Sequence, residues 1–198
     1  DHLVVRLTPL TTDGTWDLVG RRGELPTLSV FDWRAVTTPD GAHELLVPAP
    51  APGTIYLSVF HAYRAKGFQG RFQIEAVPVT RHVAGVNQRE GGNVGDSTIT
   101  VYGLGLGDEV RVELRTLVGA VLRTATPDAW GPASIQVTFT LDGIPPQAVE
   151  VAVIWPDGEE RVLSDAFEVV AGSPAALAVS LEPPTAARGL RAATLWLA

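Results

Sequence analysis

The sequence contains no cysteine and no methionine, and Lys66 is its only lysine. The absence of cysteine excludes disulfides, thiolate metal sites and a cysteine nucleophile. A single lysine leaves only one donor for a lysine isopeptide cross-link, so we do not expect one. The apolar runs are much shorter than the roughly 20 residues that a membrane-spanning helix needs. The sequence therefore predicts no membrane span.

Positive charge is also scarce, and the formal net charge is −7. Nucleic-acid-binding domains usually carry a basic patch. Here the arginines are scattered, and Arg21-Arg22 is the only adjacent basic pair. The sequence therefore predicts no nucleic-acid partner. With 45% hydrophobic and 19% charged residues, the composition is that of a folded globular chain rather than a disordered one.

Apolar and polar residues alternate with a period of two along several short runs. The clearest runs cover residues 3–7, 55–60, 72–76, 110–114, 135–141 and 149–153. Successive side chains of a strand point to opposite faces, so each run has one apolar face to bury. Turn-forming Gly, Pro, Asn and Asp residues separate the runs. This pattern predicts an all-β chain that folds as two tandem antiparallel β-sandwiches.

Two domain boundaries are predicted from breaks in this pattern. The strand around residues 72–77 ends at Pro78, and a new pattern starts only after the glycine-rich stretch 91–95. A second break lies at residues 171–174. The predicted units are 1–80, 81–172 and a linker and strand segment at 173–198. A two-stranded ribbon is not stable alone, so this last segment is expected to pack on the rest, to begin a further module or to pair with another chain.

The first unit resembles a known bacterial module. Residues 3–7, 17–27, 44–48, 52–59 and 70–76 are similar to stretches of the pre-peptidase C-terminal (PPC) type of β-sandwich, which is jelly-roll-like. The resemblance implies a module without an active site that flanks catalytic domains or sits in large surface proteins. Members of that family usually begin with a further strand or two, so we expect that this chain is truncated or that the strand comes from elsewhere.

The second unit resembles an immunoglobulin-like module of the TIG type. Residues 91–106 are similar to its first strand and glycine turn, and residues 155–169 to its final hairpin. Together the two resemblances imply binding, spacing or display in an extracellular or cell-surface bacterial protein, rather than chemistry.

The motifs that suggest catalysis have simpler structural interpretations. Residues 103–107 read Gly-Leu-Gly-Leu-Gly, but a dinucleotide loop needs a following helix, and residues 108–112 predict a strand. No serine lies in a Gly-x-Ser-x-Gly elbow, and no two of the four histidines share a metal-ligand spacing. We therefore expect no enzyme, no catalytic residues and no cofactor.

Two binding sites remain as hypotheses. Asp157 and Glu159 could contribute to a calcium site, although calcium needs six to eight oxygen ligands and the cluster is sparse. Trp130, which lies in a predicted turn between Ala129 and Gly131, is the candidate ligand contact, whereas Trp155 continues a buried strand face. Single exposed aromatics are common on protein surfaces, so local packing is the competing interpretation of Trp130.

Three functions are compatible with these features. The first is a non-catalytic structural or adhesive module, with neighbouring modules of the same parent chain as partners. The second is a subunit of an extracellular fibre assembled by strand donation, because an open sheet edge is a template for a strand of an identical subunit. The third is an accessory carbohydrate-binding domain of a secreted hydrolase.

Overall fold

The structure is a computed structural model that describes residues 1–11, 14–62 and 70–172. Within these residues the chain is all-β, as predicted, and no helix is present that could cross a bilayer. The strands of the described residues are β1 (His2–Pro9), β2 (Thr15–Arg22), β3 (Trp33–Arg34), β4 (Val36–Thr37), β5 (His43–Val47), β6 (Ile55–Ala62), β7 (Phe72–Val79), β8 (His82–Val86), β9 (Glu90–Gly92), β10 (Asp96–Leu104), β11 (Arg111–Thr116), β12 (Val121–Ala125), β13 (Ala129–Gly131), β14 (Ser134–Thr140), β15 (Gln147–Ile154) and β16 (Glu160–Val170).

These strands form four sheets. We name them sheet A, in the order β4-β5-β1-β7; sheet B, in the order β3-β2-β6; sheet C, in the order β13-β14-β10-β8; and sheet D, in the order β12-β11-β15-β16-β9. Their pairings are antiparallel except for β9, which runs parallel to β16. The antiparallel sandwich class predicted from the alternation is thus confirmed for the described residues.

Sheets A and B enclose the core of the first unit. Leu7 and Leu45 of sheet A and Leu18 of sheet B are fully buried in it, and Trp16 of β2 closes one end. Sheets C and D enclose a larger core with Val137 of β14 among its members. The predicted boundary at residue 80 falls between β7 and β8, and the predicted segment 173–198 lies outside the described residues.

Strands β1 and β5 of sheet A are buried on both faces, by sheet B on one side and by one end of sheet C on the other. Val5 and Leu7 point toward sheet B, while Val4 of the same strand packs against Leu104 of sheet C. Residues 45–47 of β5 are consecutive and apolar, so their buried side chains likewise lie on both faces of the sheet. An uninterrupted apolar run is the sequence pattern expected of a strand covered on both sides.

Strand β7 departs from the expected pattern of one buried face. Ile74 is paired with the fully buried Leu7, so both side chains project from the same face of sheet A. Nevertheless Phe72 is 40% exposed and Ile74 is 42% exposed, and Ala76 is exposed as well. Among the described residues β7 lies at the edge of sheet A and has a neighbouring strand on one side only.

Candidate functional site

The contact between sheets A and C, which we call the junction, is the best-defined functional feature. Its buried members are Val4 and Leu46 of sheet A and Ala84 and Leu104 of sheet C. Partly buried residues of both sheets surround them: Val36, Val79, Tyr102 and Ala133. Contacts between domains of one chain are usually more polar than this and leave the domains free to move. The apolar junction instead holds the two sheets together.

A buried carboxylate reinforces the junction. Glu44 of β5 is 3% exposed. Arg6 of β1 donates from Nη1 to Glu44 Oε1 at 2.5 Å, and His82 Nε2 of β8 lies 2.6 Å from Oε2. A buried carboxylate is costly unless it is paired and hydrogen-bonded. Arg6 precedes the predicted boundary at residue 80 and His82 follows it. The pairing of Glu44 with both residues therefore links β8 to sheet A.

Asp40 extends the charged network toward solvent. Its carboxylate accepts hydrogen bonds from Arg6 and from the Thr38 hydroxyl. The bond from Thr38, followed by those from the Ala42 backbone and from Arg6, lowers the pKa of Asp40 despite its partial burial. Burial alone would lower the pKa of Arg6, but hydrogen bonds and charge from Glu44 and Asp40 raise it above its ordinary value. Both groups therefore stay charged at neutral pH.

Two glycines of the Gly-Leu-Gly-Leu-Gly motif allow the backbones to approach closely here. A Cβ on Gly103 would lie 2.3 Å from the carbonyl oxygen of His82. Gly105 has φ +66°, and a Cβ on it would lie 2.5 Å from the carbonyl oxygen of Thr80. Gly103 and Leu104 end β10, and the next element is strand β11 rather than the helix that a dinucleotide loop requires. The motif is thus a structural turn, as the sequence indicated.

The proposed calcium ligands are paired with an arginine instead. Arg81 directly precedes β8 and contacts Asp157 at 2.5 Å and Glu159 at 3.0 Å. The bond from Arg81 is the main cause that lowers the pKa of Asp157. Arg81 also lies 5.3 Å from the ring centroid of the buried Trp155. No group of three or more metal-ligating side chains occurs in the described residues, so the calcium hypothesis finds no cluster there.

Trp130 occupies a different setting from the predicted turn. It lies in the short edge strand β13, opposite Ile135 of β14, and is 59% exposed. Trp130, Ser134 and Gln136 line a shallow depression of about 200 Å³. Because Trp130 lies opposite Ile135, its side chain projects from the other face of the sheet than the side chains of Ser134 and Gln136. By contrast Trp155 is 4% exposed and donates to the Gly105 carbonyl at 2.7 Å, which confirms its predicted place in the core.

A cleft of about 550 Å³ opens at one end of the first unit. Trp16, Asp40 and His43 lie in its wall. Burial lowers the pKa of His43, and the charge of Asp17 opposes that effect only in part. The buried Trp16 indole N–H has no hydrogen-bond partner in the part of the chain that the structure describes. The ring stacks on His61 at 4.0 Å and serves mainly to close the core.

The histidines are engaged in structural contacts. His2 Nδ1 accepts the Ala49 backbone N–H at 2.9 Å, and His43 lies 3.4 Å from the Thr37 hydroxyl. Ser164 borders the same depression as His82 and Glu44, which brings a serine, a histidine and a carboxylate to one place. However, the Ser164 hydroxyl donates to Glu150 at 3.2 Å. The Ser164 hydroxyl is thus bonded to Glu150, a carboxylate that does not belong to the His82–Glu44 pair.

A comparison of the sequence with models of known protein families finds no match, and a comparison with curated proteins also finds none. The resemblances to PPC and TIG modules therefore remain predictions that rest on the motifs themselves.

The junction was not predicted from the sequence. Its hydrogen-bonded polar members, Arg6, Glu44 and His82, are far apart in the chain and belong to no motif. A signal was nevertheless present, because Val4-Val5 and Leu45-Leu46-Val47 put apolar residues on both faces of β1 and β5.

Proposed function

We propose that this chain is a non-catalytic structural module of a larger extracellular or cell-surface bacterial protein, in which it acts as a stiff spacer. The observation that carries the proposal is that strands β1 and β5 of sheet A are buried on both faces, by sheet B on one side and by one end of sheet C on the other. A spacer transmits position and force only if its units keep a constant orientation. The burial of β1 and β5 between the two other sheets supports such a constant orientation.

The link between the two units is two residues long. β7 ends at Val79 and β8 begins at His82, so only Thr80 and Arg81 lie between them. Arg81 is itself held by Asp157 and Glu159. Flexible linkers between domains are normally longer and exposed. Both the link and the junction thus oppose independent motion.

The rigidity is tested by nitrogen-15 relaxation of the full chain. We expect the amides of sheets A and B to share one rotational correlation time with those of sheets C and D. Replacing Ala84, which is 2% exposed in the junction, with glutamate should bury an unpaired charge and separate the two correlation times. Ala129→Glu, at an exposed position of β13, is the matched control and should leave them equal. Separate tumbling in the unaltered chain would refute the spacer function.

A second candidate function is carbohydrate binding at Trp130. Sugar rings stack on exposed aromatic rings, and the Trp130 side chain is 59% exposed. Binding is measured by pull-down on cellulose, chitin and xylan. Trp130→Ala should weaken retention by about tenfold or more, as expected for an aromatic hot spot. Val118→Ala, at a 91% exposed loop position, is the control. Absence of retention on all three polysaccharides would count against this function.

A further inference from the structure

The outer edge of β7 carries backbone N–H and C=O groups with which a further strand could pair. In the described residues β7 pairs only with β1. The Leu10 N–H donates to the Arg71 carbonyl at 2.8 Å. Hydrogen-bonded and non-hydrogen-bonded pairs alternate along an antiparallel ladder. Gln73, Glu75 and Val77 are therefore bonded to β1, and the residues between them direct their N–H and C=O groups away from the sheet.

The position of the proline agrees with this assignment. Pro78 falls in the outward-directed set, where its missing N–H costs no bond to β1. The free donors are then the N–H groups of Phe72, Ile74 and Ala76. Their side chains are the same ones that project toward the core side of sheet A and yet remain exposed. Free backbone groups and uncovered apolar side chains thus coincide on a single edge.

The sequence of β7 is complementary to itself in the antiparallel direction. If Ile74 lies opposite Ile74 of a second copy, Phe72 lies opposite Ala76, and these pairs use the free N–H and C=O groups on both strands. On the other face Gln73 then lies opposite Glu75, so an amide meets a carboxylate. No like charges face each other in this register, and Pro78 falls beyond the bonded pairs.

We propose that two copies of this chain associate edge to edge through β7, in the register centred on Ile74, so that sheet A continues into its counterpart. The association is isologous, as most dimer contacts are. Edge strands usually carry devices against such pairing, and Glu75 and Pro78 are of that kind. In the register centred on Ile74, Glu75 lies opposite Gln73 and Pro78 lies beyond the bonded pairs, so neither residue opposes the pairing. The proposal is a specific form of assembly through edge strands, and it is independent of the spacer function.

Sedimentation equilibrium of the full chain over a range of concentrations tests the association. We expect a reversible dimer. Ile74→Lys places two ammonium groups opposite each other and should raise the dissociation constant by about tenfold or more. Since Ile74 is already 42% exposed, this variant should fold normally, which circular dichroism verifies. Val121→Lys, at a 53% exposed position of the edge strand β12, is the matched control and should dimerise like the unaltered chain.

Cross-linking tests the register. The chain has no cysteine, so an Ile74→Cys variant has one thiol per copy. Hydrogen-bonded antiparallel partners have Cα atoms about 5.5 Å apart, so the two thiols lie within reach of a short bismaleimide cross-linker. The cross-linker should therefore join copies of the Ile74→Cys variant much faster than copies of a Val121→Cys variant.

Three results would overturn the proposal. The first is a chain that stays monomeric at every concentration. The second is a dimer that Ile74→Lys does not weaken, and the third is equal cross-linking of the two cysteine variants. If the chain is monomeric and the Ile74 amide is nevertheless protected from hydrogen exchange, the edge is occupied by another segment of the same chain. None of these results bears on the relaxation experiment that tests the spacer function.

Discussion

The junction can be tested quantitatively at Leu104. This side chain is fully buried, and it shares its cluster with Val4 and Leu46 of sheet A. Leu104→Ala removes three carbons, and at about 0.8 kcal/mol per buried methylene group the lost burial is about 2.4 kcal/mol. A residual cavity would add to this loss, but two separate sheets can close together around it. We therefore expect a loss of about 2–3 kcal/mol in the free energy of unfolding, at the lower end for Leu→Ala changes.

A double-mutant cycle shows whether the loss arises at the contact between the sheets. Leu46, which is 6% exposed, faces the same cluster from sheet A. Leu46→Ala and Leu104→Ala each remove part of one contact, so the double variant should lose less than the sum by about 0.5–1.5 kcal/mol. The free energies come from urea unfolding followed by tryptophan fluorescence and circular dichroism.

The control cycle combines Leu104→Ala with Leu18→Ala. Leu18 is fully buried, but it lies in the core between sheets A and B. Because the two residues share no cluster, their effects should add to within about 0.5 kcal/mol. A coupling between Leu46 and Leu104 as small as that of the control would refute the reasoning that the junction is one packed core, and with it the physical basis of the spacer function.

Three further predictions concern single residues. Gly103→Ala should lower the free energy of unfolding by about 1–3 kcal/mol, because its Cβ would clash with the His82 carbonyl. Gly107→Ala, where a Cβ meets nothing within 4 Å, should change it by less than about 0.5 kcal/mol, and equal losses in urea unfolding would contradict the clash. The pKa of Asp40 is lowered on folding, so its contribution to stability is complete above its ordinary pKa of 3.8 and is lost as the pH falls through the folded value. Stability measured by acid titration should therefore fall less steeply in Asp40→Asn than in the unaltered chain, and identical slopes would argue against the Thr38–Asp40 bond. Trp155→Phe removes the N–H that donates to the Gly105 carbonyl and should lower the free energy of unfolding by about 1 kcal/mol or more. Trp130→Phe, at an exposed site, should change it little. Thermal or urea unfolding curves of the two variants test this difference.

The alternation of apolar residues located the strands because side-chain direction in a strand is a local property. The run 135–141 nearly coincides with β14, and the run 149–153 lies inside β15. Trp155 could be assigned to the core for the same reason, since it continues the period of β15. Trp130 could not be located so well, because the short strand β13 exists only through its pairing with β14.

The sequence by itself determined that the chain is all-β, where most of its strands lie and that the glycine motif is a turn, because each of these follows from the conformation of neighbouring residues. Only the tertiary structure decided which apolar faces are covered. It buried Leu7 and left its cross-strand partner Ile74 42% exposed, although both alternate with polar neighbours in the sequence. It also joined Glu44 to His82, which lie 38 positions apart in the chain. The burial of Ile74 and the pairing of Glu44 depend on which elements lie opposite, and the residues next to them in the chain do not contain that information.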